Sequence, residues 1–199
     1  MMNYDYYYKK VEDKLKANGK KGEERFIHSL GVSDACVELV NRYYPNDEEL
    51  KEKAKLAGLV HDYAKFLTMD DYRSLLKKHN IKMELNDEFI LIYHGYIGYL
   101  LIEDELDIHD QDILNAIIYH STGRSEMSFL EKVLFVADYI EPNRVGEFFD
   151  KIRDVAFVDL DLAVYYEAKQ TYEYLASRNR NIFFETINAY EYYKKLLNK

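Results

Sequence analysis

Two prolines in 199 residues leave this chain with almost nothing to interrupt a helix. Pro45 and Pro142 divide it into long stretches, and only eight glycines add to the breaks. No period-2 alternation of apolar and polar residues is long enough to predict a sheet, and neither an internal repeat nor a low-complexity linker is visible. The expectation is an all-α helical bundle.

Apolar spacing and end signals place the helices. From Glu23 to Tyr44, Phe26, Ile27, Leu30, Val37 and Val40 recur at helical spacing until Tyr44-Pro45 stops them. Asn46 with Glu49 resembles a capping box opening the next helix, which runs through Leu50, Ala54, Ala57, Leu59 and Val60 to His61-Asp62. Further helices are predicted at Asp70 to His79, Glu88 to Leu106 and Gln111 to His120. Ser128 with Glu131 is a second capping box, opening a helix from Phe129 to Ile140 that Pro142 ends. Helical patterns from Asp159 to Ser177 and from Ile182 to Leu197 finish the chain.

Charge and cysteine content narrow the ligands and the compartment. A formal charge of −9 makes the surface repel long polyanions, so nucleic acid is not expected as a partner. A small anion is compatible, because a metal and a few Arg or Lys side chains reverse the field locally. The single cysteine, Cys36, permits no intrachain disulfide and reads as buried filler. Met1 to Lys10 lacks the apolar core of a signal peptide, and no uncharged apolar run approaches the roughly 18 residues of a membrane span. A cytoplasmic protein with no membrane partner is expected. Clusters among the 20 tyrosines, such as Tyr6-Tyr7-Tyr8 and Tyr192-Tyr193, suit amphipathic helix faces or a partner surface, a homodimer included.

Four of the six histidines, His28, His61, His94 and His120, fall within or at the ends of apolar helical patterns. One imidazole there is usually a core residue with satisfied nitrogens; four together ask for a common explanation. Asp62 closes the apolar run Leu56 to Val60, and Asp138 follows Val133 to Ala137. A carboxylate in such a place needs a cation or donors, and a shared metal serves both at once. Imidazole with carboxylate suits Fe, Mn, Zn or Co, and such an ion activates water and polarises a phosphoryl oxygen. His79 and His109 lie in polar contexts and are read as surface residues. There is no G-x-x-x-x-G-K, G-x-G-x-x-G or H-E-x-x-H motif.

The order His28, His61-Asp62, His94, His120, Asp138 resembles the ligand series of the HD superfamily of phosphohydrolases. Within it, HDYAK (His61 to Lys65), HGYIG (His94 to Gly98), YHSTGRSEMSFLEK (Tyr119 to Lys132) and ADYIEPNR (Ala137 to Arg144) are similar to the bacterial YqeK family, symmetrical diadenosine tetraphosphate hydrolases. The similarity is strongest from about Arg25 to about Arg144 and fainter beyond. It implies a single HD domain over 1–199, with a core at about 20–145 and a C-terminal helical extension at about 146–199.

The same resemblance assigns roles. His28, His61, Asp62 and Asp138 would bind iron, with Mn, Co or Zn as alternatives and one or two ions in all; Asp62 would bridge to a second ion or to water. His94 and His120 match positions at the phosphate end of a bound nucleotide, which in related two-metal enzymes ligate the second ion, and both roles stay open. Arg25, one helical turn before His28, would clamp phosphate, against the plainer reading of a pair with Glu23 or Glu24. Lys65, three residues after Asp62, would neutralise a leaving phosphate or simply pair with Asp62. Ser121 and Arg144 match nucleotide-contacting positions, and Asp138 is counted with the substrate-binding residues too. Asn181 to Thr186 aligns with a nucleotide-contacting segment and offers Ile182 and Thr186. The chain departs there, with Phe184 where the family usually has proline and Tyr190-Glu191 where it tends to carry Arg-Asn. Gly95 and Gly98 read as small residues permitting close helix contact.

The implied catalytic groups are thus Asp62, Lys65, His94 and His120, acting on a dinucleoside tetraphosphate to give two nucleoside diphosphates such as ADP. An HD-type nucleotidase or alarmone phosphohydrolase would use the same site. A metal-containing nucleotide-binding regulator is the reading from another class.

Overall fold

A computed structural model describes residues 3–199, so residues 1 and 2 of the expected domain lie outside it. Among the described residues there are helices and no strand, as the scarcity of breakers predicts. They are α1 (Tyr4–Lys16), α2 (Gly19–Tyr43), α3 (Glu48–Val60), α4 (Met69–Lys78), α5 (Ile90–Tyr96), α6 (Tyr99–Leu106), α7 (Gln111–Tyr119), α8 (Phe129–Ile140), α9 (Glu147–Ala156), α10 (Leu160–Ser177) and α11 (Phe184–Leu196), with a 3-10 turn at Asp87–Phe89. Among the described residues no helix is long and apolar enough to cross a membrane.

The long α2 is the axis of the bundle, packing against α1, α3 and α8, while α7 closes on α3 and α8. Leu39 and Val40 of α2, Leu59 and Val60 of α3 and Val133 and Leu134 of α8 meet in its fully buried interior, and Cys36 is buried there as filler. Each such aliphatic side chain contributes about 1.5–3 kcal/mol by leaving water, so a truncation such as Leu59→Ala would cost about 2–5 kcal/mol. The C-terminal α10 packs on α8, α9 and α11.

The second capping box forms as read: the Ser128 hydroxyl accepts from Glu131 N–H and the Glu131 carboxylate from Ser128 N–H. The first is displaced by one residue. Asp47, rather than Asn46, caps α3 by accepting from Leu50 N–H at 2.9 Å. A carboxylate there also meets the positive end of the helix dipole.

The stretch from Glu88 to Leu106 is broken rather than continuous, with Ile97-Gly98 between α5 and α6. A Cβ on Gly98 would lie 2.5 Å from the Ala64 methyl, and one on Gly95 2.6 Å from the Ile117 carbonyl and 2.8 Å from the His120 ring. Both glycines therefore serve close helix contact. The contact at Gly95 lets α5 approach α7, which brings His94 to His120. Helices α1 and α9 complete the bundle outside the predicted segments; α9 starts after Gly146 (φ 137°) and buries Ile152 and Ala156.

Candidate active site

Five segments deliver the chemistry-bearing residues to one place. Arg25 and His28 come from α2, and His61, Asp62 and Lys65 from the end of α3 and the turn after it. His94 comes from α5, His120 and Ser121 from the end of α7, and Asp138 from the last turn of α8. Both His61 and His120 cap their helices, so each ring reaches past a helix end instead of lying along the barrel.

Hydrogen bonds at the outer nitrogens set three of the rings. His61 Nδ1 lies 2.7 Å from the Gly58 carbonyl, and His120 Nδ1 2.6 Å from the Ile117 carbonyl. His28 Nδ1 lies 3.2 Å from Glu141 Oε1. A carbonyl or carboxylate can only accept, so each Nδ1 carries the proton and each Nε2 presents a bare lone pair. This is the arrangement that orients an imidazole toward a metal.

Those lone pairs converge with the carboxylates. His28 Nε2 is 2.9 Å from Asp138 Oδ1, His61 Nε2 is 3.3 Å from Asp62 Oδ2, and His94 Nε2 is 2.9 Å from Asp62 Oδ1. Yet His28 Nε2, His61 Nε2, Asp62 Oδ1 and Asp138 Oδ1 are buried with no aligned hydrogen-bond partner among the described residues. Leaving four polar atoms so placed is costly unless they share a partner. The triads His28-His61-Asp62, His61-His120-Asp138 and Asp62-His94-His120 each offer ligand atoms within 4.8 Å of one another. The donor set fits a divalent transition ion.

Electrostatics agree with that reading. Burial alone would raise the carboxyl pKa of Asp62, but His61, Lys65 and His94 outweigh it and hold it well below the usual carboxylate range. Asp138 is likewise kept ionised against burial by its bond to His28 and the neighbouring His61. Burial and the adjacent His94 and His61 push His120 well below the ordinary histidine value, and burial pushes His94 down, so both stay neutral at pH 7. Burial alone would lower the pKa of His61, but Asp62 beside it outweighs that and raises it, so an ion binding there would displace a proton.

A cavity of about 540 Å³ opens at the site, lined by Lys21, Arg25, Lys65 and Arg144 together with His28 and Glu24. Four cations gathered around one opening reverse the field of a chain whose net charge is −9. Arg25 reaches Asp62 at 2.8 Å rather than pairing with Glu23 or Glu24, and Arg144 lies 3.5 Å from Asp138. Ser121 Oγ is 3.0 Å from His120 Nε2.

Other expected residues are less central. Asp138 keeps 24% of its side chain exposed although Oδ1 itself is buried. Ile182 and Thr186 have no hydrogen bond to the cluster among the described residues; their segment is tied to α5 through Phe183, which packs on Tyr96 at 5.0 Å. His79 pairs with Asp104, and His109, 65% exposed, with Asp107, both away from the site.

Sequence reasoning missed Glu141, 2% exposed, which accepts from His28 and, through its other oxygen, from the Asn143 backbone N–H at 2.8 Å. Its signal was the i+3 spacing from Asp138 immediately before Pro142. It also missed Lys21 at the cavity.

Comparison with known proteins places this geometry. The HD domain family matches residues 25–143. The chain is 36% identical, over 85% of its length and 89% of the relative's, to a Bacillus subtilis protein named symmetrical bis(5'-nucleosyl)-tetraphosphatase. It is 34% identical to a Staphylococcus aureus protein of the same name, over 89% of this chain and 90% of that one. A crystal structure from Clostridium acetobutylicum, described as a predicted HD superfamily hydrolase involved in NAD metabolism, matches over the full length of both chains with 36% identity and a TM-score of 0.84. The chain therefore belongs to the HD domain family, and within it to the group of proteins named symmetrical bis(5'-nucleosyl)-tetraphosphatases.

Proposed function

We propose that this protein is a metal-dependent hydrolase that cleaves dinucleoside tetraphosphates, diadenosine tetraphosphate foremost, into two nucleoside diphosphates. The observation that carries the reading is the convergence of bare imidazole nitrogens and unpartnered carboxylate oxygens beside a cationic cavity. The names of the relatives supply the substrate class.

His28, His61, Asp62 and Asp138 would hold the ion, with iron preferred and Mn, Co or Zn able to take the same donors. A bound ion of this kind supplies acidified water and Lewis-acid polarisation of a phosphoryl oxygen. Arg25, Lys65 and Arg144 would bind the phosphate chain across the cavity and offset the charge that develops on it. His94, His120 and Ser121 would orient the inner phosphates, with Ile182 and Thr186 toward the nucleoside. Asp62, fixed between His61 and His94, or a nearby histidine would orient the attacking water and handle its proton. Water adds to one inner phosphorus, the central bridging P–O bond breaks, and its oxygen leaves with the second nucleoside diphosphate.

The whole chain would act as one domain, its core at about 20–145 carrying the site and residues 146–199 bracing α8. A reduced compartment such as the cytoplasm suits the single buried thiol. Product analysis tests the reaction: ADP alone from diadenosine tetraphosphate is expected, and AMP with ATP would refute central cleavage.

A further inference from the structure

Asp62 divides the site in two. Its Oδ2 faces Arg25, His61 and His28, at 2.8, 3.3 and 3.9 Å. Its Oδ1 faces His94, Lys65 and His120, at 2.9, 3.2 and 3.9 Å. Asp62, His94 and His120 form a donor triad placed to take a second ion beside the first, with His120 also grouped with His61 and Asp138.

That second position already holds a positive charge. Lys65 Nζ lies 2.9 Å from His94 Nε2 and 3.2 Å from Asp62 Oδ1. Lys65 is held for this by the turn after α3, where its backbone N–H donates to the Asp62 carbonyl at 2.9 Å. Lys65 Nζ thus occupies the space between His94 Nε2 and Asp62 Oδ1 that a second ion would fill, and an ammonium, having no lone pair, offers such an ion no ligand. A dication on the same donors would sit against a like charge in a site where His94 and Asp62 are almost wholly buried and screening is weak.

We propose that Lys65 stands in for a second metal ion. On the reading that His28, His61, Asp62 and Asp138 hold the catalytic ion, the chain is a one-metal enzyme by construction, with the lysine ammonium keeping the Asp62-His94-His120 triad empty of metal. His94 and His120 are thereby left free of metal. Ser121 Oγ, 3.3 Å from His94 Nε2, adjoins the same pair of rings.

Ion counting tests this without reference to turnover. Metal-free protein is titrated with Mn²⁺ while free Mn²⁺ is followed by electron paramagnetic resonance, and bound metal is checked by elemental analysis. Wild type should take one tight ion per chain. Lys65→Ala should take a second, at least tenfold tighter than any second ion in wild type; Lys65→Arg should stay at one, and Lys65→Ala/His94→Ala should return to one. Lys65→Gln serves in place of Lys65→Ala if the latter loses its helical circular dichroism. Two equally tight ions in wild type, or one ion in a folded Lys65→Ala or Lys65→Gln, would overturn the proposal. A wild type that binds no ion overturns it together with the metal-centre reading, whereas a correct ion count with the wrong products strikes only the substrate assignment.

Discussion

Glu141 Oε1 accepts from His28 Nδ1 at 3.2 Å, across 113 residues of sequence, while the opposite nitrogen of the same ring lies 2.9 Å from Asp138. The glutamate fixes which nitrogen of His28 is bare and raises its basicity. Asn143 in turn holds Glu141 with its backbone and side-chain N–H groups, at 2.8 and 3.0 Å. A carboxylate that touches no ion is therefore expected to govern how well one is held.

Glu141→Gln keeps the size of the side chain and removes its charge. Loss of such a partner typically lowers metal affinity about 10–100-fold. Competition of the variant against a chelator of known affinity measures it, and an unchanged affinity would deny Glu141 this role.

Asp138 lies against His28 and contributes an oxygen with no aligned partner. Asp138→Asn should lower kcat/KM by roughly a thousandfold or more, about 4 kcal/mol of transition-state stabilisation. Because His28 and His61 hold this carboxylate ionised in the folded state, the metal-free variant should also melt lower at neutral pH. A large loss of stability with activity retained per folded molecule would mark Asp138 as structural.

Gly95→Ala tests the contact that joins His94 to His120. The added methyl would meet Ile117 O at 2.6 Å and the His120 ring at 2.8 Å, so α5 and α7 must part. A cost of about 1–3 kcal/mol in urea unfolding is expected, accompanied by a fall in kcat/KM. An unaffected kcat/KM would show that the two rings need not adjoin.

Much of this was legible in the sequence, and the exceptions share a cause. The capping box at Ser128, the helix of His28 and the stop at Pro142 are local signals, written in residues three or four apart. The break at Ile97-Gly98 is only partly local: a Cβ on Gly98 would meet the His94 carbonyl oxygen but also the Ala64 methyl, far back along the chain, at 2.5 Å. Glu141 was overlooked for the same reason, since its partner is on another helix. The histidines and aspartates were found because buried polar groups on apolar faces require an explanation even before their partners are known. Helix α9 did carry a signal, Phe148, Ile152 and Val155 at helical spacing, that the charged residues between them obscured.

Glu167 gives a dependence on pH. It is 5% exposed on α10, its Oε2 has no partner among the described residues, and burial followed by the nearby Asp138 pushes its carboxyl pKa well above 4.5. The folded state then keeps a proton that the unfolded chain releases, so this group lowers stability as pH rises from about the unfolded value toward the folded one. Glu167→Gln should accordingly melt higher than wild type at neutral pH, by about 2–4 °C per kcal/mol relieved. The difference should vanish near pH 4, about where the unfolded carboxyl is itself protonated. Melting curves of both proteins across this range check it, and a gap that does not change with pH would contradict the assignment.

The central claim is that separate helices bring imidazoles and carboxylates around one cation. Anomalous diffraction from crystals of the iron-reconstituted protein tests it most directly. A single peak in contact with His28, His61, Asp62 and Asp138 is predicted; no peak, or one lying away from these four side chains, would contradict it.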